Sequence, residues 1–132
     1  MTDIELKYYK ALQAVFKEKM GDWQTGDWFT NSFGEFITCV MDQDDTTLFD
    51  FYGSSYFKKL AIRLPLPIDP RNPERGLTGM HRHFRELVYN VTGNFWMCKV
   101  WNYENSNSFA ANTPTLALLK ALAWQEGVKV DD

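Results

Sequence analysis

The stretch Asn112-Thr113-Pro114-Thr115-Leu116-Ala117-Leu118-Leu119-Lys120-Ala121-Leu122-Ala123-Trp124-Gln125-Glu126-Gly127 constrains the fold more than any other. Thr113 suits a helix N-cap, Pro114 suits the first helical position, where a missing amide costs nothing, and Gly127 suits the left-handed residue that ends a helix. At 100° per residue Thr115, Lys120, Gln125 and Glu126 point to about 0°, 140°, 280° and 20°, so they do not gather on one solvent face. A helix that is apolar in most directions has to be covered. Leu116, Leu118, Leu119 and Leu122 each offer roughly 1.5–3 kcal/mol on full burial. The other elements are expected to enclose this helix.

With 132 residues, of which 45% are hydrophobic, the chain suits one domain over residues 1–132 with a core of its own. Charge interrupts every apolar run well short of the roughly 20 residues that cross a bilayer. The start, Met-Thr-Asp-Ile-Glu, is acidic and does not resemble a secretory leader. No membrane association is expected, and the composition fits a cytoplasmic monomer or small homo-oligomer. Cys39 and Cys98 each lie in an apolar run and read as buried free thiols.

Along the chain, Thr2 and Glu5 have capping-box spacing, and Ile4, Tyr8, Ala11, Leu12, Val15 and Phe16 recur at helical spacing. The pattern predicts a surface helix from about Asp3 to Lys19. Turns are expected at Met20-Gly21-Asp22 and Gly26-Asp27, next to the pair Trp23 and Trp28. Residues 36–41 mix apolar and β-branched side chains and predict a strand buried on both faces, closed by Gln43-Asp44-Asp45. Leu48, Phe49 and Phe51 suggest a second strand, and Leu60, Ile62 and Leu64 a third. Four prolines between Pro65 and Pro73 make Leu64 to Leu77 an ordered or extended loop. The spacing of Phe84, Leu87, Val88 and Val91 predicts a short amphipathic helix from His81 to Val91. Residues 95–101 alternate as a strand, 102–107 read as a polar turn, and Ser108-Phe109-Ala110 re-extends the chain. The sum is an α+β domain: an antiparallel sheet of about four to five strands with three helices packed on it, the N- and C-terminal helices included.

Two stretches carry a resemblance. Asn94-Phe95-Trp96-Met97-Cys98-Lys99-Val100-Trp101 with Ser108-Phe109-Ala110-Ala111-Asn112-Thr113-Pro114 and the Leu/Ala-rich helix resembles the end of small α/β phage sandwich domains. The run from Ile62 to Leu77 is similar to a stretch in reading frames of bacteriophages and prophages. The resemblance covers about half the chain and implies a small phage or prophage accessory protein in a bacterial host cell. It carries over no catalytic residue.

Charge is distributed unevenly. Between Lys58 and Arg85 seven basic residues face only Asp69 and Glu74, a net of +5, whereas the remainder carries seven basic and fifteen acidic residues, a net of −8. Arginine predominates there, and its planar fork of donors matches carboxylate and phosphate bidentately. Arg63, Arg71, Arg75, His81, Arg82 and Arg85 are therefore the candidate binding residues, on a Pro/Arg-rich surface spanning residues 64–85. The alternative is that these arginines pair within the fold, with Asp42, Asp44, Asp45 and Asp50, or are simply solvated. A protein partner is the first reading of that surface and nucleic acid the second, since an acidic chain of pI 5.3 repels phosphate at range.

Recognisable chemistry is lacking. His81 and His83 point about 200° apart on a helix, and two further zinc ligands have no spacing to announce them. The acidic run Asp42, Asp44, Asp45 lacks the closing Glu of a calcium loop, Gly76 and Gly79 do not form a phosphate loop, and there is no nucleophile elbow. No metal, cofactor or catalytic residue is expected. The five tryptophans with Tyr52, Tyr56 and Phe57 serve either as core or as exposed hot-spot surface. The chain thus reads as a non-catalytic interaction protein.

Overall fold

The computed structural model describes residues 1–101 and 106–131. In chain order these form α1 (Asp3–Ala11), α2 (Gln13–Met20), β1 (Trp28–Thr30), β2 (Thr38–Cys39), β3 (Asp42–Gln43), β4 (Thr47–Phe49), β5 (Ser55–Phe57) and β6 (Ile62–Arg63), with a 3-10 turn at Lys58–Leu60. A second 3-10 turn at Pro73–Arg75 leads into α3 (Leu77–Met80), then β7 (Phe84–Asn90), β8 (Phe95–Trp101), β9 (Ser106–Ala111) and α4 (Pro114–Gln125). The mixture of helices and antiparallel strands is the expected α+β class. The expected single sheet is instead three sheets of three strands, ordered β2-β1-β6, β3-β4-β5 and β7-β8-β9.

The division follows from the turns. Asp44 Oδ1 accepts hydrogen bonds from the amides of Thr46 and Thr47, and Asp50 Oδ1 from those of Tyr52 and Ser54. Each aspartate closes a tight reversal, so β3, β4 and β5 stay at two or three residues. The Asp42–Asp45 run is thus a turn device. Expected burial on both faces fails over residues 36–41: Val40 is buried, but Ile37 and Met41 are exposed.

The C-terminal helix matches its sequence. Thr113 Oγ1 accepts from the Leu116 amide at 3.1 Å, and Gly127 adopts φ +67° beyond the last turn. Leu116 through Leu119 and Ala121 through Ala123 are all buried. The helix packs on β8, β9 and α1, and Leu12, Phe16, Cys98 and Val100 complete the core around it. A second, smaller core holds Phe29, Val40 and Leu48, flanked by Trp23, Phe36, Tyr56 and Ala61. Two cores explain why the short strands do not join the long sheet.

Two helices depart from expectation. The N-terminal one carries its capping box, with Glu5 N donating to Thr2 Oγ1 and Thr2 N donating to Glu5 Oε1. It then breaks at Leu12 (φ −96°, ψ 5°) into α1 and α2. The break coincides with Gln13, whose Nε2 donates to Tyr9 O and to Arg63 O while its Oε1 accepts from Arg63 N. The predicted helix from His81 to Val91 is strand β7, paired with β8 from Phe84↔Val100 to Asn90↔Phe95. Its spacing suits a helix, and pairing with the strand across the Gly93-Asn94 turn overrides it. Asn94, at φ 56°, marks that reversal. The predicted polar turn lies mostly outside the described residues, and Ser106 and Asn107 already belong to β9.

Candidate functional site

Three of the candidate arginines converge inward. Arg71 Nη2 lies 2.7 Å from Asp27 Oδ1 and 2.7 Å from Asp69 Oδ2, and its Nε donates to Asp69 Oδ1 at 3.1 Å. Arg75 Nη2 reaches Asp27 Oδ2 at 2.6 Å, and its Nη1 donates to Met20 O. Arg63 Nη2 donates to Gly21 O at 2.7 Å, with its guanidinium 4.4 Å above the Trp23 ring. Asp27, Asp69, Arg63 and Arg75 are buried, and the Arg71 side chain retains about a third of its exposure. The hydrogen bonds from Arg71 hold the Asp69 carboxyl below its usual range, while burial lowers the Arg63 pKa.

Arg71 and Arg75 pair within the fold, as the alternative reading has it, but with Asp27 and Asp69 rather than Asp42, Asp44, Asp45 or Asp50. Arg63 and Arg75 are largely enclosed rather than displayed as an exposed surface. The cluster clamps the proline loop against the end of α2 and the Trp23 loop. Gly26 is part of the fit, since a Cβ there would stand 2.6 Å from Arg71 Nη1.

The other candidates lie in different surroundings. His81 is buried, its ring close to Gln125 and to the Leu118 backbone without a well-formed hydrogen bond to either nitrogen, and burial pushes its pKa down to about 4. It is a neutral interior side chain. Arg82 is exposed, 3.6 Å from Glu126, and its backbone is held by the Gln125 amide. Arg85 is exposed and lies 5.7 Å from the Trp101 ring. The six candidates therefore do not assemble into one surface.

The surface that does assemble lies on residues 55–63. A groove of about 270 Å3 runs beside β5, floored by Phe29, Phe36 and Tyr56 and rimmed by Phe57 and Leu60. Tyr56 stacks on Phe36 at 5.0 Å between ring centroids and meets Phe29 edge-on at 5.2 Å. Tyr56 Oη donates to Asp50 Oδ2 at 2.9 Å, which fixes the ring. Phe57 and Leu60 remain 60% and 62% exposed. At the turn of the same β4-β5 hairpin Phe51 and Tyr52 stand 78% and 87% exposed, edge to face at 5.6 Å. Asp50 thus holds both the groove and the aromatic turn in shape.

Across the 3-10 turn Lys58–Leu60 the chemistry changes. A polar cleft of about 770 Å3 is lined by Lys17, Lys58, Lys59 and Arg63, with Trp23 and Asp45 among its other walls. Ala61 lines both groove and cleft, so the two adjoin at that residue. Arg63 lines this cleft, and its Nη1 is buried with no hydrogen-bond partner.

Nothing in these walls resembles a nucleophile with its base. Among the described residues no three His, Cys, Asp or Glu side chains gather as metal ligands. Burial drives the Cys98 thiol up to about 12, and Cys39, half-buried, is also raised. The sequence left Tyr52, Tyr56 and Phe57 as core or exposed aromatics; Tyr52 and Phe57 are exposed, whereas Tyr56 packs on the smaller core. No helix among the described residues is long and apolar enough to cross a membrane.

Compared with protein-family models, with curated proteins and with solved structures, the chain has no significant match in any of the three.

Proposed function

We propose that this chain is a non-catalytic interaction protein, of the phage or prophage accessory kind, that binds a protein partner through residues 55–63 and the adjoining aromatic turn. One observation carries the reading: Phe51, Tyr52, Phe57 and Leu60, all at least 60% exposed, belong to one short stretch beside an aromatic groove. Exposed aromatic side chains cost solubility and are enriched where partners anchor. Here they are also rigid, because Asp50 fixes the turn and Tyr56 together, which lowers the ordering cost of association. Binding through the Arg/Pro-rich 64–85 segment has less support, since Arg71 and Arg75 already have carboxylate partners. Nucleic acid, which would want those guanidinium groups for phosphate, loses support for the same reason.

The test is selection from a displayed library of random dodecapeptides on the immobilised protein. Recovered peptides are expected to bind the wild type and to lose binding to the Phe57→Ser/Leu60→Ser variant, whose melting temperature stays close to that of the wild type. Peptides that bind both proteins equally would refute the groove as the site.

A further inference from the structure

The groove adjoins a cationic cleft at Ala61. Lys58 and Lys59 lie between the groove-lining residues Phe57 and Leu60, line the cleft, and are joined there by Lys17 and Arg63. Four cations face Asp22 and Asp45 in the cleft, a net of +2, on a chain whose overall charge is −3. Such a local reversal of sign is what an oppositely charged partner detects on approach.

Arg63 adds a more specific observation. It is 94% buried, its Nη2 is satisfied by Gly21 O and its plane by Trp23, yet Nη1 has no acceptor. A buried guanidinium donor left unpaired costs free energy, and an anionic oxygen is the acceptor that recovers most of it. Asp27, the nearest charge-balancing carboxylate, is already shared by Arg71 and Arg75. Asp22, on the wall of the same cleft, also acts on Arg63, and neither carboxylate accepts a hydrogen bond from Nη1.

We infer that the partner segment is an acidic peptide with an apolar anchor: an aromatic or leucine side chain seated between Phe57 and Leu60, followed by carboxylates that cross Lys58 and Lys59 into the cleft toward Arg63. The inference rests on the groove being the binding site. Carboxylates spaced along a peptide suit this layout better than a polynucleotide does. Asp22 and Asp45 stand among the cations of the cleft, so it is not an unbroken positive track, and the apolar groove rewards a side chain rather than a phosphodiester backbone.

The experiment uses peptides selected from the dodecapeptide library, with affinities measured by fluorescence anisotropy on the full chain. The selected sequences are expected to carry two or more Asp or Glu beside an aromatic or leucine anchor. Exchanging those acids for Asn and Gln should weaken binding about tenfold or more, as should Lys58→Glu/Lys59→Glu, and the two changes together should cost little more than either alone. Selected peptides without acidic enrichment, still abolished by Phe57→Ser/Leu60→Ser, would overturn the acidic-partner inference and leave the groove intact. Peptides insensitive to Phe57→Ser/Leu60→Ser would overturn both. Displacement of a bound peptide by a fluorescent single-stranded oligonucleotide of equal length, at lower concentration than the acidic peptide requires, would assign the cleft to phosphate and overturn the inference.

Discussion

Arg75 and Asp27 stand 48 positions apart in the chain and meet at 2.6 Å with both side chains buried. Arg71 joins the same carboxylate, so one acid in the Trp23 loop anchors two arginines of the proline loop. Asp27→Asn should therefore be strongly destabilising, since it leaves a buried guanidinium uncompensated; losses of about 3–5 kcal/mol are typical. Arg75→Ala should lose stability on the same scale, whereas Arg82→Ala, on an exposed side chain, should stay within about 0.5 kcal/mol. Urea unfolding of the three variants checks the ordering. Equal behaviour of Arg75→Ala and Arg82→Ala would show that the clamp is not formed in solution.

His81 makes stability fall with acid in a defined window. Its folded pKa is lowered from 6.5 to about 4 by burial, so between those values the unfolded chain binds the additional proton. The contribution is complete above pH 6.5 and is lost as the pH falls toward 4. At 1.36 kcal/mol per pKa unit the loss is about 3 kcal/mol. Asp69, whose folded pKa is depressed by Arg71, acts in the same direction only below the ordinary carboxylate range. Denaturant melts at pH 7.5 and 4.5 should show a drop for wild type and a smaller one for His81→Leu.

The C-terminal helix is the centre of the larger core. Leu119→Ala and Leu122→Ala remove fully buried side chains and should each cost about 2–5 kcal/mol through transfer and cavity terms. Lys120→Ala removes one solvent-side hydrogen bond to Ala110 O and should cost under about 1 kcal/mol. Midpoints of denaturant unfolding give the ranking directly.

The two thiols should differ. Cys98 is fully buried with its pKa pushed up to about 12, so a thiol reagent should reach it only on unfolding. Cys39 is half-buried, and its accessible part should react first in the native protein. Two equally slow equivalents would contradict this.

Legibility in the sequence tracked the locality of the cause. The Thr113 cap, the Thr2-Glu5 box and the enclosed C-terminal helix rest on neighbours within four residues, and each was readable. Strand β7 was not, because Phe84, Leu87, Val88 and Val91 suit a helix until the pairing with β8 is known. The arginine density of the proline loop was visible, but its meaning was set by Asp27, which lies more than forty positions away in a loop without any charge pattern. Likewise Phe57 and Leu60 look like core residues until the Asp50 turn carries their segment to the outside.

The most direct test of residues 55–63 as the binding surface is amide hydrogen exchange on the full chain, with and without a saturating peptide from the dodecapeptide selection. Slowed exchange is expected in residues 50–63, centred on Phe57 to Ala61, with residues 64–85 unchanged because Arg71 and Arg75 already hold that loop. Protection confined to residues 64–85, with residues 55–63 exchanging as in the free protein, would contradict that assignment.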